Sequence, residues 1–242
     1  MSVTADLTQK LLTFNRYVKT EKGKEDLSNI KKDVSVAEIR LSKLLEQGFG
    51  ASPFRKEFAL GGKALHRGPL SPDLLKCIIL SKIEKGKLVS SPSKNSSFSY
   101  GFSEKGRLVT VSSLERGKIL TTEQIFYKKD AVFGIIFSEA GEPVAFSEEI
   151  YKNGLLIRYS YYTVREEKIV SARKTVFGYT GRKISKAYEL KLREDGSLFR
   201  SNFLFLRTSS GYLRSYRVYD LSENGKIERQ ESPFSLPPYL DF

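Results

Sequence analysis

The only imidazole in the chain, His66, stands in Gly61-Gly62-Lys63-Ala64-Leu65-His66-Arg67-Gly68-Pro69. Glycines that free backbone amides to point outward, flanked by two cations, suit a phosphate or another anion. Lys63, His66 and Arg67 are therefore the candidate anion-binding residues. The stretch is not a P-loop, because no strand pattern precedes it and Gly-Lys-Ser/Thr is missing. Were the chain an enzyme, its base would be His66 with Arg67 beside it, and no Gly-x-Ser-x-Gly elbow supplies the nucleophile. Cys77, the sole cysteine, falls between Leu75 and Ile78 on a helical pattern, the place of a small buried side chain rather than a thiolate.

Two pairs of adjacent carboxylates, Glu148-Glu149 and Glu166-Glu167, bear on acid–base chemistry. Neighbours in a strand point to opposite faces, so neither pair brackets a substrate, and the second coincides with a turn signal. Both are expected to be solvated. Arg193, Arg200, Arg207, Arg214 and Arg217 form a further set near the C-terminal strands. Their parities differ, so they do not all converge on one face. Tyr212 and Tyr216 share parity with Arg214, and with Arg200 these residues are the candidate interface. No catalytic set, cofactor site or metal-ligand cluster emerges.

The chain as a whole holds 41 Lys plus Arg against 28 Asp plus Glu, a formal net charge of +13. That field attracts nucleic acid, an anionic membrane surface or an acidic protein. The excess is denser early, with 18 basic and 10 acidic residues over 1–95 against 23 and 18 over 96–242. With 242 residues, 40% of them hydrophobic, the chain is long enough for a real core and is neither disordered nor collagen-like in composition. One cysteine excludes an intrachain disulfide framework and a multi-cysteine zinc site, which points to a reducing, cytoplasmic setting. No apolar run is long enough for a membrane span.

The elements that must position these residues change type along the chain. Residues 1–87 read as a helical N-terminal segment. Leu7, Leu11, Phe14 and Val18 share one helical stripe. Ser35 and Glu38 match a capping box, with Val34 and Ile39 as its hydrophobic staple, for a helix that runs to Leu45 and stops at Gly48. Between Asp26 and Asp33 a short helix is only weakly signalled. Ser71-Pro72 opens another, whose apolar face is Leu74, Leu75, Ile78, Ile79 and Ile83 and whose cap is Gly86. The serine-rich stretch 90–97 reads as the loop that joins the helices to a sheet.

From about Ser96 the hydrophobic period falls from 3.6 to 2, and turn signals recur through 96–234. They centre on Glu104-Lys105-Gly106, Arg116-Gly117, Lys129-Asp130, Ala140-Gly141, Asn153-Gly154, Glu166-Glu167, Thr180-Gly181, Asp195-Gly196, Ser210-Gly211 and Asn224-Gly225. Ten turns imply about eleven strands, and short connections between sequential strands make an antiparallel meander. Asn-Gly and Asp-Gly best tolerate the positive φ angles of type I′ turns, so 153, 195 and 224 are the clearest sites for them. The predicted class is α+β.

Several strands carry apolar residues on both parities, among them 132–137, 155–161 and 199–207. A meander cannot leave two apolar faces wet, so either the sheet curls into a barrel or half-barrel, or it packs against helices, a second copy or a partner. The 13 tyrosines, most of them in this half, are a residue type that interfaces favour and strands enrich.

Tyr100-Gly101-Phe102-Ser103-Glu104-Lys105-Gly106-Arg107-Leu108 resembles the bacterial tyrosine-aspartate hairpin repeat, in which an aromatic, a short turn and Gly-Arg-Leu succeed one another. Tyr219-Asp220-Leu221-Ser222-Glu223-Asn224-Gly225-Lys226-Ile227 is similar to a longer-turned form. The resemblance implies a bacterial β-hairpin sheet and, by association, the polymorphic toxin systems and their small cytoplasmic immunity proteins. It transfers no catalytic residue. The function expected from these residues is non-enzymatic protein binding, of an immunity or regulatory kind, with an acidic partner occluded by the sheet or the helical segment. A nucleic-acid-binding protein using the basic surface, and an enzyme or phosphate binder centred on His66 and Arg67, are the alternatives.

Overall fold

A computed structural model describes residues 17, 19–48, 52–60, 87–89, 91–207, 213–221 and 227–232, with backbone alone after residue 205. One helix and one open antiparallel sheet make up these residues. The helix, α1, is Glu21–Glu46. The strands are β1 (Arg55–Leu60), β2 (Lys87–Val89), β3 (Ser96–Phe102), β4 (Leu108–Glu115), β5 (Lys118–Tyr127), β6 (Ala131–Ser138) and β7 (Pro143–Lys152). They continue with β8 (Leu155–Arg165), β9 (Lys168–Thr180), β10 (Lys183–Leu192), β11 (Leu198–Arg207), β12 (Leu213–Leu221) and β13 (Ile227–Ser232).

From β3 to β13 every strand pairs with its sequence neighbour, and β1 then adds to β3 with β2 outside it. Each of the ten expected turns lies between two consecutive strands, and the eleven strands from β3 onward match the sequence expectation. The sheet does not close into a barrel: its ends are β13 and β2. Asn153-Gly154 forms the expected type I′ turn, with φ of 52° and 74°. Asp195-Gly196 does not. There Gly196 alone has positive φ, and the turn is a longer one, closed by the Gly196 amide on the Arg193 carbonyl at 3.0 Å, with Asp195 Oδ1 accepting from the Ser197 amide at 2.9 Å inside it. Positions 222–226 lie outside the described residues.

Two expectations for the N-terminal segment are corrected. First, α1 is continuous through residues 26–35, and Ser35 is no cap: its hydroxyl donates to the Lys31 carbonyl one turn back, while Glu38 accepts from the Ile169 amide in β9. The helix is capped instead by Thr20, whose hydroxyl accepts from the Gly23 amide at 3.0 Å, and it ends before Gly48 at φ 77°. Val34 packs against the core, but Ile39 is 59% exposed and staples nothing. Second, 55–60 is a strand. Its hydrogen-bonding partner β3 begins only at Ser96, so no local pattern announces it. The helical stripe at 7–18 and the helix expected at 71–86 lie outside the described residues.

Ile30, Ala37, Leu41 and Leu44 of α1 pack on Phe133, Ile135, Phe146, Tyr162, Ala172, Leu190 and Leu198 of the sheet. Register places these sheet residues on one face: Ile135 opposes Phe146, Phe146 opposes Tyr162, and Tyr162 opposes Ala172. Phe133, Phe146 and Tyr162 stack in a row under the helix. The opposite face holds two further apolar clusters, one around Tyr159 and Phe177 and the other around Tyr100 and Val111. The two-sided apolar strands thus carry the helix on one face and buried side-chain clusters on the other.

Candidate functional site

The first candidate surface is the one α1 covers. Charged residues recur on one flank of the helix every seven positions, at Asp26, Asp33 and Arg40, and each meets an opposite charge from the sheet. Asp26 Oδ2 accepts from Arg200 on β11 and from the Tyr17 hydroxyl, both at 2.6 Å. Asp33 Oδ2 pairs with Lys174 on β9 at 2.6 Å, with Arg158 of β8 4.0 Å from Oδ1. Arg40 pairs with Glu148 on β7, which also accepts from the Tyr162 hydroxyl at 3.4 Å. Fourteen residues of helix rise about 21 Å, and four strand spacings from β11 to β7 cover about 19 Å. The helix therefore runs across the strands, and its charges meet partners strand by strand. Burial, then the Glu148 carboxylate, pushes the Tyr162 phenol well above its ordinary value, and burial and Asp26 do the same for Tyr17. These phenols stay protonated donors.

The second candidate is the face turned away from α1. Gly134, Ser147, Tyr161, Arg173 and Lys191 oppose one another in register across β6 to β10. Glu123, fully buried, leans from β5 over Gly134, where a Cβ would collide with its Oε1 and come within 2.7 Å of Ser147 Oγ. Glycine is needed there because the carboxylate occupies the space. Glu149, also buried, accepts from the Tyr151 hydroxyl at 2.7 Å. Further along, Arg173 Nε lies 3.8 Å from Glu189 Oε1, and Thr175 Oγ1 donates to the same carboxylate at 3.4 Å. Arg173 is 7% exposed, and burial lowers its pKa against a partial offset from Glu189. Lys191, half-buried, is lowered by burial first and then by Arg173. The exposed Arg193 holds its guanidinium carbon 4.3 Å over the Phe199 ring. Among the described residues Lys191 and Arg193 form no ion pair.

Glu148 and Glu149 do point to opposite faces, but neither is solvated: their exposures are 2% and 8%. Glu166 and Glu167 occupy the β8–β9 turn and are exposed. Of the sequence candidates, Lys63, His66, Arg67 and Tyr212 lie outside the described residues. Arg214 and Tyr216 are on β12, where Tyr216 opposes Phe205. Arg200 is held beneath the helix by Asp26 and stacked 4.5 Å over Tyr188, an internal contact rather than open sheet surface. Sequence reasoning passed over Arg173 and Lys191 because their proximity depends on a bulge. At the β9–β10 turn Ile184 opposes Tyr179, but Lys186 opposes Gly178, and this one-residue shift brings Lys191 opposite Arg173 rather than Ala172. Gly178 is the one legible signal, a strand-interior glycine over which the Lys186 stem lies at 2.8 Å from where a Cβ would be.

No family model matches the chain, and no protein of curated function matches it. Among solved structures it is similar to a porin-like protein from Bacteroides vulgatus ATCC 8482, at 11% identity and a TM-score of 0.34, over 74% of this chain and 59% of that one. The match thus spans less than two thirds of that protein. No helix among the described residues is long and apolar enough to cross a membrane. Chemically, the described residues offer paired charges under the helix and a cation-rich end on the far face.

Proposed function

We propose that the chain is a non-enzymatic binding protein that presents the Lys191–Arg193 end of the sheet face away from α1 to an acidic protein partner and occludes it, as an immunity or regulatory protein would. One observation carries this. Under the helix the charges at Asp26, Asp33 and Arg40 are each answered by an opposite charge. On the far face Lys191 and Arg193 form no ion pair among the described residues: Glu189 and Asp195 act on them only at longer range, and Arg173 lies beside them. A positive surface adjoining half-buried aromatic side chains suits a negative partner, and the +13 net charge draws such a partner in.

Affinity capture from cell lysate, with and without nuclease and at low and high salt, tests this. A stoichiometric acidic protein that survives nuclease treatment is the expected result. Recovery of nucleic acid alone, lost as salt rises, would overturn it in favour of a phosphate-backbone binder.

A further inference from the structure

We propose that Lys191 and Arg193, backed by Arg173, form an oxyanion-binding site on the far face beside the β10–β11 turn, which takes side-chain carboxylates of an acidic protein segment. The proposal deepens the function above and rests on it for the source of the carboxylate. Its basis is a cross-strand juxtaposition that a folded protein does not favour on its own account. Arg173 and Lys191 stand directly opposite each other on adjacent strands, and like charges so placed repel, with the single Glu189 carboxylate beside Arg173 offsetting two cations only in part. The β-bulge at Ile184/Lys186 creates this pairing, since the unshifted register sets Lys191 against Ala172. Burial adds to the repulsion, because neither cation is fully hydrated.

The third cation comes from the strand end. Phe199 on β11 opposes Lys191, and Arg193 holds its guanidinium carbon 4.3 Å over that ring, so an aromatic platform keeps the guanidinium beside the lysine. A fork of N–H donors next to a mobile ammonium matches the two oxygens of a carboxylate. Two acids act on the group: Glu189 is engaged by Arg173 and Thr175, and Asp195, beside Arg193, accepts from the Ser197 amide. An incoming carboxylate would relieve the repulsion between the cations and supply the charge-assisted bonds that Lys191 and Arg193 lack among the described residues.

The test is calorimetric titration of the full chain at low ionic strength with an oligoglutamate peptide and, separately, with inorganic phosphate. The variants are Lys191→Gln, Arg193→Gln, and Lys105→Gln as a charge-matched control in the exposed β3–β4 turn. The expected result is peptide binding weakened about tenfold by each of the first two variants and unchanged by the control. Arg193 is exposed, so its variant reports on binding without disturbing the fold. Equal weakening by all three variants, no change in any, or phosphate binding without peptide binding would overturn the site. A partner captured equally by wild type and by the Lys191→Gln/Arg193→Gln double variant would overturn the site and leave the proposed function standing. Peptide binding that needs both residues, with no protein captured from lysate, would leave the site standing and overturn that function.

Discussion

The two faces of the sheet bury similar kinds of residue but balance charge differently: the far face pairs Arg173 with Glu189 and leaves Lys191 and Arg193 without an ion pair among the described residues. On the helix side, Arg200, Lys174 and Glu148 would each be a buried or half-buried ion, and each is met by a helical residue of opposite sign seven positions from the next. On the far side, the bulge in β10 drives two cations into register with each other. A buried charge costs several kcal/mol unless it is paired, so the helix side is arranged for stability. The far side keeps a local imbalance that a stability argument alone does not explain. The same basic composition is thus paired with acids on one face and set cation against cation on the other, and register decides which.

That contrast can be broken or sharpened by substitution, with stability read from denaturant midpoints. Leu41→Ala, at a site 1% exposed beneath the helix, should cost about 3 kcal/mol through lost burial and the cavity left behind. Gly134→Ala, which drives a methyl into the Glu123 carboxylate, should cost about 2 kcal/mol on the far face. A neutral outcome there would show that the buried carboxylate is free to move. Arg200→Met should cost about 2 kcal/mol, less than for a wholly stranded ion, because Asp26 keeps Tyr17 and Lys22. Lys191→Gln, the same charge deletion on the other face, should be neutral or stabilising by about 0.5 kcal/mol.

The last variant also carries a pH signature. Lys191 has its pKa lowered in the folded state, so between that value and the ordinary 10.5 the unfolded chain binds more protons and stability rises with pH. Lys191→Gln should lose this rise while keeping the alkaline fall that the raised tyrosines Tyr161 and Tyr162 impose above 10.0. Matching slopes in wild type and variant would mean that Lys191 is not perturbed.

The hairpins were legible in the sequence because turn chemistry is local: Asn153-Gly154 needs nothing beyond its own backbone to make a type I′ turn. The end of α1 was legible for the same reason, through Gly48. Its start was not, since Ser35-x-x-Glu38 imitates a capping box while both side chains in fact serve other bonds. Strand β1 escaped notice because its pairing is non-local. The site followed the same rule. Arg200 could be read as a basic residue but not as Asp26's partner, and Arg173 and Lys191 became neighbours only through a bulge marked by little more than Gly178.

On the proposed reading, Lys191 is held for a partner and Lys174, paired with Asp33 under the helix, is not. Lysine acylation followed by mass spectrometry, on the free chain and on the chain with its captured partner, tests it most directly by comparing Lys191 with Lys174. Lys191, with a lowered pKa and no ion pair among the described residues, is expected to react readily when free and to be shielded in the complex, while Lys174, bonded to Asp33, reacts slowly in both. Lys174 reacting as fast as Lys191, or a Lys191 rate untouched by the partner, would contradict it.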